Sequence, residues 1–239
     1  MTIPTHCGMP PLHLNIEGLR AHALLMNIFI PEPEVSAEKR KWRSWLVHCL
    51  VKMARHYNEA RSLILDQVSE GQRPYAEMVK GRYLPIFDYA FAMEDCITSL
   101  EKTIACIRAL SKKGEMTSAF VLALNSEQQS LNAFRRQQEH MHSQIVAGQT
   151  GDGPILVALS DNGDGMRLRG LTMGFDALYK LIDAVYRDIS SLFPMHDVQS
   201  SPLQGGAPQL SVSMTTEVIQ GDGTQSEVWQ PGGPNRNAS

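Results

Sequence analysis

From Ser36 onward the chain carries apolar residues at helical spacing, and this pattern constrains the fold more than any other feature. Trp42, Trp45, Leu46, Cys49, Leu50, Met53, Tyr57, Ala60, Leu63 and Ile64 recur with the period of an α-helix. Ser36 stands where an N-cap belongs and Gly71 where a helix stops, so one long helix is predicted to about Glu70. Pro85 suits the first turn of a second helix. Its stripe is Phe87, Ala90, Met93, Ile97, Leu100, Ile104 and Ile107, and Gly114 closes it. A third helix is expected from about Thr117 to Ala147. Its inward stripe would be Phe120, Leu124, Leu131, Phe134, Gln138, Met141 and Ile145. A fourth spans about Phe175 to Phe193, with Pro194 beyond it. Short connections favour antiparallel neighbours. The expected fold is therefore all-α, an up-and-down bundle of about four main helices over residues 36–194.

Three stretches break the pattern. In "GPILVALSDNGDGMRLRG", Ile155 to Leu159 is β-like, "DNGDG" is a turn and Met166 to Arg169 alternates, which predicts a small β-hairpin before the last helix. A calcium loop does not fit, because Thr172 occupies the twelfth position where an acidic ligand is needed. Residues 1–35 read as a partly ordered N-terminal segment, with Asn15 to Ile30 either helical or extended on the core. Within it, "ALLMNIFI" is about half the length of a membrane span and reads as a core-packing segment. Residues 195–239 are rich in Gly, Pro, Ser, Gln and Asn without a helical period, and a disordered tail is expected.

The net charge of -3 excludes a general nucleic-acid coat, so any RNA contact must be local. Lys39, Arg40, Lys41 and Arg43 form one basic run at the start of the long helix. It is either a phosphate grip or a solvated face, and its charge opposes the helix dipole there. The four cysteines, at 7, 49, 96 and 106, form no C-x-x-C pair. They are expected as free thiols in a reducing, cytoplasmic setting, and no membrane span is expected. There is no P-loop, no G-x-G-x-x-G after a strand and no G-x-S-x-G elbow.

Chemistry concentrates in "NAFRRQQEHMHSQI", residues 132–145. At 100° per residue, Arg135 and His142 flank the inward stripe, while Arg136 and His140 point outward. "FRRQQEH" resembles the R-x4-6-H segment of the HEPN superfamily (higher eukaryote and prokaryote nucleotide-binding domains), with Arg135 and His140 as the best match. The place after the Arg, commonly Asn in that family, holds Arg136 here. The resemblance implies a metal-independent endoribonuclease, without cofactor, that works as a homodimer. By it, His140 moves protons, Arg135 braces the phosphate and His142 assists or substitutes. Arg136, Glu139 and the basic run are the candidate binding residues. Two other readings share the same residues. Glu139 and His142 form an E-x-x-H, the spacing of di-metal bundles, but no second copy is found. The stretch also reads as the wet side of a helix, because Arg, Gln and Glu are good helix formers. A non-catalytic helical module that dimerises or binds a protein partner is then the alternative function.

Overall fold

The computed structural model describes residues 3–29, 34–74, 77, 81–194, 196 and 198. All of them belong to one compact unit, Met1–Gly206. Five α-helices run α1 Ile16–Leu24, α2 Ala37–Gln72, α3 Ile86–Lys112, α4 Asn125–Val146 and α5 Phe175–Ser190. Three strands lie between α4 and α5: β1 Ala158–Leu159, β2 Gly165–Leu168 and β3 Leu171–Gly174. The fold is mainly helical, as the periodicity predicts.

Ser36 caps α2 as expected, its Oγ accepting from the Lys39 amide at 3.1 Å. Gly71 does not stop the helix, which runs on to Gln72. It serves close approach instead: a Cβ there would sit 2.9 Å from Cγ2 of Ile3. α3 returns antiparallel to α2. Lys39 and Trp42 near the start of α2 share a cleft with Leu110 and Lys113, while further along α2 Lys52 reaches Asp95 at 3.5 Å. α4 reverses again, since Arg135 pairs with Glu101 and Gln138 lies beside Glu94, nearer the start of α3. α5 closes the core with Leu178, Leu181, Ile182, Val185, Tyr186 and Ile189, all buried. Each such aliphatic or aromatic side chain contributes about 1.5–3 kcal/mol when taken from water.

The open segment 15–30 is helical where it is described. Asn15 caps α1 through the Gly18 amide at 3.0 Å, and α1 passes into a π-helical turn, Leu25–Phe29, packed on α2. Ahead of it the chain is strapped down. Tyr57 donates to the Pro10 carbonyl at 2.8 Å, Arg61 to that of Met9 at 3.0 Å, and His6 meets Asp164 at 2.7 Å. Asp164, in the acidic turn, thus anchors the N-terminal strap.

Two boundaries differ from expectation. α4 begins at Asn125, not near Thr117. The cause is Asp188 of α5, whose carboxylate accepts from Ser118 Oγ at 2.7 Å and from the amides of Ala119, Phe120 and Val121 at 3.0, 3.3 and 3.0 Å. Those amides are turned toward α5 and lead into a short 3-10 turn, Val121–Ala123. Phe120, expected inward, is exposed with the Arg187 guanidinium over its ring. The expected hairpin is a three-stranded antiparallel sheet in the order β1-β2-β3. β1 pairs Leu159 with Met166, and β2 pairs Met166 with Met173 across a tight turn where Arg169 takes φ +53°. β3 leads straight into α5, so its four residues read in sequence as a linker.

The predicted tail falls largely outside the described residues. Of its described members, His196 is buried, with Nε2 at 3.0 Å from the Tyr186 hydroxyl.

Candidate functional site

α4 is amphipathic in its first half only. Leu131 and Phe134 are buried, and the buried Gln128 amide donates to the Val121 carbonyl. Beyond Met141, which is half-buried against the core, the helix leaves it. Ile145, expected at the centre of the inward stripe, is 49% exposed. The far end is held by polar groups instead. Gln137 donates to Gln144 at 2.7 Å, Arg169 also donates to Gln144, and Arg169 Nη2 reaches the Gln149 carbonyl at 2.7 Å.

This placement decides what the Arg/His stretch presents. Arg135 is clamped between two carboxylates. One guanidinium nitrogen meets Glu101 of α3, and Nε and Nη2 meet Glu139 at 2.9 and 2.8 Å. The hydrogen bonds to Glu101 and then Glu139 raise its pKa further, and its fork is filled by protein acceptors. Glu139 is likewise engaged, one turn along the same helix. Arg136, His140 and His142 are exposed, so His142 stands in solvent rather than beside the core. His140 lies about 140° round the helix from Arg135, while His142 shares its strip roughly 10 Å further on.

The basic run is divided. Lys41 is exposed, and Lys39 and Arg40 are half-buried, Arg40 donating to the Val35 carbonyl. Arg43 is not on the outer face: it is 7% exposed, its guanidinium 5.7 Å above the Phe193 ring. Two residues beyond exposed Lys41, about 200° round the helix, it faces inward, and the ring accepts the cation's flat face. Lys39 lies beside Leu110 of α3, nine residues from the level of Arg135, whereas His140 and His142 extend the other way. At 1.5 Å per residue these ends are separated by more than about 20 Å. The two halves of the sequence-predicted site therefore do not converge.

The feature that sequence reasoning missed lies on the opposite flank. A groove of about 340 Å³ opens between α1 with its π-turn and α2, lined by Arg20, Ala23, Leu24, Ile28, Ser44, Val47, His48 and Val51. The π-turn shapes it. The extra residue per turn sends Asn27 inward, where its amide donates to Ser44 Oγ at 3.0 Å, and leaves Ile28 60% and Phe29 59% exposed. Leu24, on the groove wall, is also exposed. "ALLMNIFI" is thus only partly a core segment. A single π-turn leaves no mark in the 3.6-residue period, but the exposed Ile-Phe pair before the prolines was the available signal.

Other chemistry is quiet. All four cysteines are free. Burial pushes Cys96 up to about 12 and raises Cys49, so neither is a nucleophile at neutral pH. Among the described residues no group of three His, Cys, Asp or Glu side chains is placed to hold a metal ion. No helix among them is long and apolar enough to cross a membrane.

No family model, curated protein or solved structure matches the chain.

Proposed function

We propose that this protein is a non-catalytic helical interaction module whose docking site is the groove between α1 and α2. One observation carries the reading: a preformed, mainly apolar groove of about 340 Å³, rimmed by exposed Leu24 and Ile28. Contiguous exposed apolar surface of this kind marks binding sites on folded domains. Its dimensions suit one or two aliphatic or aromatic side chains from a partner peptide, inserted in the helix-in-groove manner. Arg20 and His48 at the walls favour a partner with acidic residues beside those anchors. The test is affinity capture with the intact protein and with Leu24→Asp/Ile28→Asp. A specific partner should be retained by the wild type and lost by the double variant while helicity is unchanged. Identical captured sets would sink the reading.

A second reading is metal-independent RNA cleavage, supported by the exposure of His140, His142 and Arg136 on one helix end. Here the histidines would shuttle protons and Arg136, rather than the clamped Arg135, would meet the phosphate. Cleavage of a labelled RNA pool in EDTA, lost in His140→Ala or His142→Ala, would favour it. Inert preparations, or equal cleavage by all three, would leave the groove as the functional surface.

A further inference from the structure

Among the described residues, α3 carries a second unpartnered face, on the side away from the core. Phe87 and Phe91 are 64% and 57% exposed, although the sequence pattern places Phe87 inward. At 100° per residue, Phe87, Phe91, Thr98, Ala105 and Ala109 fall within a band about 40° wide. Ala105 and Ala109 are exposed and Thr98 is half-buried. Large residues thus occupy one end of the band and small residues the other.

That arrangement is complementary to itself when reversed. If a second copy is turned about a two-fold axis through Thr98, Phe91 meets Ala105 of the other copy and Phe87 meets Ala109. A ring over a methyl lets two helix axes approach to about 8 Å, the close end of the usual range. The charges agree. Asp95 and Lys102 lie together on one flank of the band, and the same rotation sets each near the other across the seam. Both are exposed; Asp95 is also reached by Lys52 at 3.5 Å and by His56 at 3.8 Å. On the opposite flank Glu101 is occupied by Arg135 of α4, and Glu94 is half-buried beside Gln138 and Val157. We infer that α3 is a homodimerisation surface, on which a second copy of this chain docks antiparallel with Phe87 and Phe91 over Ala109 and Ala105. This is a different face from the α1–α2 groove and stands or falls independently of it.

The contact is modest. Residues 87 to 109 cover roughly 33 Å of helix, and a strip about 10 Å wide buries about 700 Å² in total, below the standard interface. Association is therefore expected to be weak and transient.

The test uses the full chain in sedimentation, up to about 200 µM to reach that weak range. Wild type should move with concentration toward twice its 26.6 kDa mass, and Ala105→Arg, at an exposed helical site, should stay monomeric with unchanged helicity. Under mild oxidation Thr98→Cys should form a disulfide-linked dimer. Wild type and Lys112→Cys, whose position lies about 21 Å along the helix from the axis, should not. Ile28→Asp should leave the dimer intact. A wild type that is monomeric throughout, a dimer that Ala105→Arg leaves standing, or a Thr98→Cys that fails to link would each overturn the inference.

Discussion

Asp188 offers the sharpest test of how the last helix organises the chain. Its buried carboxylate accepts four hydrogen bonds from one short segment, and that segment sets where α4 begins. Asp188→Ala removes all four acceptor contacts. The amides of Ala119 and Phe120 belong to exposed residues and can turn to water, whereas Val121 is buried and Ser118 half-buried. The loss is then that of about two donors with their charge-assisted bonds, roughly 3 kcal/mol. Asp188→Asn keeps the volume but offers one acceptor atom in place of two, at a cost of about 2 kcal/mol. For a domain of this size Asp188→Ala should lower Tm by about 6–12 °C. Asp183→Ala, which breaks the Asp183–Arg187 pair on the same helix, should cost less than about 0.5 kcal/mol. Urea unfolding followed by far-ultraviolet circular dichroism measures all three. If Asp188→Ala cost no more than Asp183→Ala, the network would not be what holds the α3–α4 connection.

Two further outcomes follow from the perturbed groups. Burial, with help from Asp95, raises the Glu94 pKa despite hydrogen bonds from Val157 and Gln138. The folded state thus binds this proton more tightly than the unfolded chain, and its contribution is present below the unfolded value of about 4.3 and lost as pH rises through the folded one. Glu94→Gln should therefore raise the urea midpoint at pH 7, with the gain shrinking toward pH 4; an equal gain at both pH values would contradict the assignment. Cys96, fully buried with its thiol at about 12, should resist iodoacetamide at pH 8 in the native protein and react only on unfolding. Native labelling at Cys96, read by peptide mass, would mean that the α2–α3 core opens.

What the sequence determined by itself was the set of long helices. α2, α3 and α5 are legible because each repeats an apolar residue every three or four positions over several turns. The start of α2 and the two ends of α3 are marked by Ser36, Pro85 and Gly114, local signals that act through the neighbouring backbone alone. Tertiary structure decided the features that depend on partners distant in the chain. Asp188, some 70 residues away, sets the start of α4. β3 is a strand because β2 lies beside it. Arg43 is inside because Phe193 offers its ring, and Arg135 is clamped because α3 brings Glu101 to it. The Arg/His spacing was visible in the sequence, but whether those groups stay free is set by which carboxylates the packing delivers. The groove depends on one π-helical turn against α2. The physical reason is common to all of these: periodicity records which face of a segment is apolar, while the identity of the neighbour that covers or completes that face is a property of the folded chain.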